Sequence, residues 1–257
     1  GIQMTSAAVT TLLGAADAAA ARAAISADTA LDQLPVAGAL HHWRLGEASS
    51  PFADSGSSPV NMAYVAGTRE YGRAGVYTKY GATMQRSTTG TDRCSATIAV
   101  PSGASITMGI TLANEQALLN TPSGSARCIF SLDCAGTRNG ILILTDTNGT
   151  IYVNVAIGGA DTNIPAITVS WSRPFRVDVT RDGATGATLV YINGLLFQSA
   201  SIAGTMGAVT LAEIGGSARN LVPGSALMMT DATVHTSVLS AATLLSRADT
   251  CRRLAGG

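Results

Sequence analysis

The chain has 257 residues and a mass of 26.0 kDa; 46% of its residues are hydrophobic and only 12% charged, which excludes a disordered chain. Sixteen basic and sixteen acidic side chains cancel, so no net field would hold a nucleic-acid backbone or an anionic membrane. The apolar stretch from Leu12 to Ala24 is broken by Asp17 and Arg22, and no segment approaches the roughly 20 apolar residues of a membrane span.

In chain order, Gly1-Ile2-Gln3 ahead of Met4 reads as an added or internally cut end, and a longer native chain is expected. Ala15 to Ile25 is built from the best helix former, with Asp17 in the first turn and Arg22 near the end, and predicts a short helix. A helix this short needs a partner surface, either the main domain or another copy of the chain. Ser26 to Val36, with Leu34-Pro35, reads as a linker. The chain therefore divides into an arm and linker, residues 1–36, and a domain, residues 37–257.

Within the domain the period becomes two. Arg176 to Thr180 alternates strictly, and Thr188 to Ile192 and Leu195 to Ile202 flank Asn193-Gly194, a strong hairpin signal. Asn139-Gly140 and Asn148-Gly149 repeat the device around Ile141 to Leu144 and Ile151 to Ile157. Ser95 to Val100, Ile106 to Leu112, Cys128 to Leu132, Val209 to Ile214 and Leu227 to His235 add further strands, the pattern of a sandwich or barrel. Ser240 to Leu254 returns to a helical period. Cys94, Cys128, Cys134 and Cys251 show no CxxC and no histidine at ligand spacing, so free buried thiols are expected.

Several landmarks resemble the concanavalin A-like, laminin-G-like jelly-roll superfamily. They are His42-Trp43-Arg44-Leu45-Gly46-Glu47 followed by Asp54-Ser55-Gly56, then Phe175 to Gly183 with Leu189 to Gly194, and Leu211 to Gly216 before the last strand. The resemblance spans roughly residues 38 to 254 and implies a mainly β jelly-roll sandwich with a short helix at each end. Leu12 to Ile25 is similar to an Ala-rich segment of tailed-bacteriophage tail fibres. Together the two imply a fibre-tip or receptor-binding protein: a homotrimer in the virion, joined to other tail proteins and attaching to a glycan or pilus on the bacterial surface. A tip that only caps and trimerises, and a surface-polysaccharide depolymerase, are the alternatives.

The fold also hosts glycoside hydrolases, whose retaining mechanism needs two carboxyls roughly 5 to 5.5 Å apart. The four glutamates, Glu47, Glu70, Glu115 and Glu213, are far apart in sequence. Asp178 and Asp182 share a strand face with Arg176 and Thr180, which reads as a solvated outer face. His41, His42 and His235 lie in no nucleophile-elbow context, so a non-catalytic role is expected. The resemblance implies calcium held by Asp54; Asp146-Thr147-Asn148 and Asp161-Thr162-Asn163 have oxygen-ligand composition but equally the composition of turns. Tyr64, Tyr71, Tyr77 and Tyr80, interleaved with Arg73 and Lys79, are the candidate receptor contacts, because glycan binding couples an exposed ring to polar side chains. Trp43 and Trp171 are read as core.

Overall fold

Alternation along each strand sends every second side chain to one face, and those apolar faces meet in a single core between two antiparallel sheets. The computed structural model describes residues 38–47, 49–66, 69–73, 82–85, 93–113, 127–136, 138–146, 150–169, 173–217 and 227–254; the predicted N-terminal helix and Trp171 lie outside them. The first sheet runs β13 (Leu195–Ser201), β12 (Ala187–Ile192), β11 (Phe175–Arg181), β6 (Ile106–Ala113), β15 (Met228–His235), β4 (Ala82–Gln85), β3 (Arg69–Arg73), with β1 (His41–Trp43) also on β15. The second runs β10 (Ala160–Ile167), β9 (Ile151–Ile157), β8 (Gly140–Thr145), β7 (Arg127–Cys134), β14 (Val209–Ile214), β5 (Arg93–Val100), β2 (Ala63–Ala66). The expected mainly β sandwich is the observed one. Its core joins Met108, Ile110, Val177, Val179 and Val234 of the first sheet to Ile98, Phe130, Leu132, Ile143, Val155 and Ile214 of the second. Trp43 is fully buried there, its indole N–H donating to the Val60 carbonyl at 2.8 Å.

β15 changes partner halfway. Its register on β6 shifts between Thr230 and Thr233, and Asp231 takes a φ of 53°, a left-handed conformation that aspartate tolerates better than most residues. The bulge lets Met228 and Met229 pair with β4, while Ala232 to Val234 pair with β1. The Asp231 N–H leaves the ladder and donates to the Arg44 carbonyl at 3.1 Å.

The tail forms α1 (Ala241–Leu254), capped by the Ser240 hydroxyl, which accepts from the Thr243 N–H at 3.2 Å. Leu244, Arg247, Ala248 and Cys251 recur at helical spacing and are buried on the outer face of the first sheet. The β12–β13 turn has Asn193 and Gly194 at φ 50° and 76°, as a two-residue hairpin requires. Asn139-Gly140 does not make such a turn: β7 ends at Cys134 and β8 begins at Gly140, so Gly140 is a strand residue, and Arg138 before it takes a φ of 51°. Strand β10 is a correction of another kind, since Asp161-Thr162-Asn163 lies in a ladder with β9 rather than in a turn. The four cysteines are free and buried, as expected.

Gly194 is needed twice, for its positive φ and because a Cβ there would overlap the backbone of Leu245. Gly194→Ala should part the hairpin from α1 and lower stability by about 2 kcal/mol. A urea midpoint equal to that of the parent would show that the helix does not rest on this turn.

Candidate functional site

The Asp54-Ser55-Gly56 turn is a clamp on β1. Asp54 Oδ1 accepts from the backbone N–H groups of His42 and Gly56, both at 2.8 Å, and Oδ2 accepts from Val60 N–H at 2.8 Å and His41 Nδ1 at 2.7 Å. Those four donors fill the acceptor positions of a carboxylate. The calcium role implied for Asp54 therefore does not fit this structure: its two oxygens are taken up by four donors in holding the turn. Gly56 lies so close to β1 that a Cβ would overlap the Leu40 carbonyl.

His42 links this turn to the centre of the outer face. Its Nε2 lies 2.6 Å from Asp231 Oδ1, and its Nδ1 lies 2.8 Å from the hydroxyl of exposed Ser55. Burial pushes the Asp231 carboxyl up, but the Arg176 guanidinium and the His42 hydrogen bond outweigh it and hold the group at about 2. Both ring nitrogens of His42 are thus engaged, and the Ser55 hydroxyl also lies 3.3 Å from the His42 carbonyl, to which it can donate. A Ser–His–Asp chain thus exists, but the backbone N–H groups of Ser55, Gly56, Ser57 and Ser58 donate to His42 O, Asp54 Oδ1, Ala39 O and Leu40 O. None of the four is open to form an oxyanion hole beside Ser55.

Arg176 is the hub of the outer face. Its Nε donates to Asp178 at 3.0 and 3.1 Å, Nη1 to the Asp231 carboxylate and carbonyl, and Nη2 to Thr233 Oγ1 at 2.8 Å. Gly109, in register with both Asp178 and Thr233, leaves the room this needs: a Cβ there would overlap Asp178 Oδ1 and crowd Arg176 Nη2. Arg247 from α1 donates to the same Thr233 hydroxyl at 2.8 Å and to His235 Nε2 at 3.1 Å. The reading of Asp178 as part of a solvated face is corrected here. Arg176, Asp178 and Thr180 are all but inaccessible to solvent, and Asp182 lies in the following turn, bonded to Ala184 and Thr185.

The second sheet also buries acid on its outer face. Arg93 Nε donates to Glu213 Oε1 at 2.6 Å, and the Ser131 and Ser217 hydroxyls donate to Asp133 Oδ2 at 2.9 and 3.0 Å. Burial pushes Asp133 up to about 7, the Ser131 bond relieving it in part and the neighbouring Glu213 charge adding to it. This proximity was not legible beforehand, because Asp133 and Glu213 are brought together only by β7–β14 pairing.

Of the candidate receptor contacts, Tyr64 sits in β2, half-buried against the core. Tyr71 and Arg73 lie in β3, while Tyr77, Lys79 and Tyr80 fall outside the described residues. β2 and β3 are the terminal strands of the two sheets, and the chain crosses between the sheets from Ala66 to Arg69. The backbone thus brings Tyr64, Tyr71 and Arg73 to one edge of the sandwich. The other acidic clusters hold local structure: Asp146 Oδ1 accepts from Thr150 N–H at 2.8 Å, Asp161 pairs with Arg138 at 3.4 Å, and Asn163 Oδ1 accepts from Asn154 Nδ2 at 2.8 Å.

No protein-family model and no curated protein matches the chain. Solved structures do. The receptor-binding domain of botulinum neurotoxin D aligns with a TM-score of 0.63 at 15% identity, covering 82% of this chain and 52% of that one. The serotype G binding domain aligns at 0.61 and 12% identity, over 82% of this chain and 50% of that one. The serotype D ligand-binding domain in complex with N-acetylneuraminic acid aligns at 0.61 and 14%, again over 82% and 50%. The likeness is one of fold. The chain spans about half the length of these neighbours.

Two predictions follow from the buried clusters. Gly109→Ala should cost about 2–3 kcal/mol in urea unfolding, because the added Cβ would overlap Asp178 Oδ1 and crowd Arg176 Nη2, both held by buried hydrogen bonds; an unchanged midpoint would mean the network can slide. The second concerns pH. Burial and the Arg247 charge hold His235 at about 4, against 6.5 in a free chain, so its contribution to stability is lost as pH falls from about 6.5 toward 4. Asp133 is raised from 3.8 to about 7, so its contribution is lost as pH rises across nearly the same window. The opposed slopes, each at most about 1.4 kcal/mol per pH unit, should leave the parent nearly flat between about pH 4.5 and 6. Asp133→Asn should then make stability rise with pH, and His235→Gln should make it fall; unfolding curves at each pH with slopes of the same sign would refute the assignment.

Proposed function

We propose that the chain is a non-catalytic receptor-binding module that attaches to a glycan-bearing cell surface. The observation that carries this is the combination of a lectin-like sandwich with closed acid pairs. Asp178 with Asp231, and Asp133 with Glu213, are all but inaccessible to solvent, so neither pair offers a sugar an acid and a nucleophile. What such a fold offers a partner is its edges and loops. The botulinum neurotoxin domains of the same fold are receptor-binding domains, and one is in complex with N-acetylneuraminic acid, which supports the same class of role here.

The contact we favour is the β2–β3 edge. Its strands carry Tyr64, Tyr71 and Arg73, residue types that suit the apolar side of a sugar and its hydroxyl or carboxylate groups. The finer reading is the tip of a tailed-bacteriophage fibre, trimeric in the virion and attached to a bacterial surface glycan or pilus, supported by the likeness of Leu12 to Ile25 to fibre arms.

Fluorescently labelled protein should stain cells that carry the receptor, and Tyr71→Ala with Arg73→Ala together should abolish staining with an unchanged circular dichroism spectrum and melting temperature. Full staining by the double variant would move the contact elsewhere. Release of reducing sugar from purified surface polymer would replace binding by depolymerisation.

A further inference from the structure

Among the described residues the two sheet paths end at four strands, β13 and β3 in the first sheet and β10 and β2 in the second, and the three-residue β1 pairs only with β15. A terminal strand offers unpaired N–H and C=O groups to any passing chain, and folded proteins guard such edges with charge, proline or short length. β3 carries Arg69, Glu70 and Arg73; β10 carries Asp161 and Pro165; β2 is only four residues long. β13 has neither charge nor proline over its seven residues, Leu195-Leu196-Phe197-Gln198-Ser199-Ala200-Ser201. It also displays three large apolar side chains in succession, Leu195, Leu196 and Phe197, at 59, 56 and 51% exposure. Leu245 of α1, packed against Gly194 at the start of β13 and 38% exposed, extends the patch.

We propose that β13 is a self-association edge, where two copies of this chain meet about a two-fold axis with their β13 strands antiparallel. The occupant follows from charge and area. A two-fold operation sets an uncharged strand against the same uncharged strand, so no ionised group is desolvated without a partner. The four exposed side chains present on the order of 400 Å² of apolar surface, about half of what one partner contributes to a standard interface. The polar strand β10, which lies against β13, forms a rim. Phe197 is the extra residue where the register on β12 shifts between Val190 and Tyr191. Contact there is made by side chains, while Gln198 to Ser201 extend the ladder. An interface of this size is weak and concentration-dependent. It lies on the edge opposite β2 and β3, so it is independent of the receptor contact; a two-fold dimer is a different assembly from the three-fold tip, and the mass in solution separates them.

Sedimentation velocity on the full chain, from about 1 to about 100 µM, should show monomer passing to dimer. Leu196→Lys and Phe197→Lys should each weaken the dimer by at least about tenfold without changing the melting temperature. Val238→Lys, at an apolar residue 42% exposed on the loop before α1, should leave it intact. A monomer throughout, a dimer or trimer indifferent to both β13 lysines, or equal loss with Val238→Lys would each overturn the proposal. Hydrogen exchange on the parent protein is the second reading, independent of how the variants fold. Amides of β13 should slow as concentration rises, and rates that ignore concentration would refute the contact.

Discussion

The Arg176 guanidinium, lying over the bare backbone of Gly109, is the tie on which the first sheet and its cover depend. One buried cation holds Asp178 on its own strand and Asp231 on β15, and shares Thr233 with Arg247 of α1. Through Asp231 and His42 the same chain of bonds reaches the Ser55 turn and β1. Removing one partner from such a cluster leaves a buried charge uncompensated, which costs about 3–5 kcal/mol, whereas the intact cluster contributes little beyond a hydrophobic equivalent. Its role is therefore specificity of arrangement. It fixes where α1 lies and where β15 bulges, because only that bulge presents both the carboxylate and the carbonyl of Asp231 to Arg176.

Burying polar groups on both outer faces changes what the surface can do. The acids buried there are committed to holding elements together, which leaves the two edges of the sandwich as the surfaces proposed for partners. Those edges differ in kind. The sequence of β2 and β3 combines tyrosine with charged residues, whereas β13 carries no charged residue and exposes Leu195, Leu196 and Phe197.

What the sequence made readable of the candidate site was the proximity of three of its residues. Tyr64, Tyr71 and Arg73 cluster in sequence, and a short strand, a crossing and another short strand keep them together in space. The misread part was chemical role. Asp54 sits in a turn that resembles a calcium loop, yet the number of backbone donors closing on a carboxylate depends on how β1 folds back over it. Asp178 alternates with valines as a solvated residue does, and period two cannot tell a face open to water from one under a helix. Asp161 has turn composition but lies in an edge strand, where polar residues cost nothing on the solvent side.

The sequence by itself determined the mainly β class, the approximate limits of most strands from Arg93 onward, the Asn193-Gly194 hairpin and the C-terminal helix. Each of these is set by period, propensity or a backbone conformation that few residues adopt. Tertiary structure alone decided that α1 lies on the Arg176 face, that Asp133 meets Glu213, and that β13 stands at the end of its sheet's path among the described residues. The physical reason is the same in all three cases. Burial, charge compensation and edge position belong to pairs of elements far apart in the chain, and no local pattern records which of them will meet.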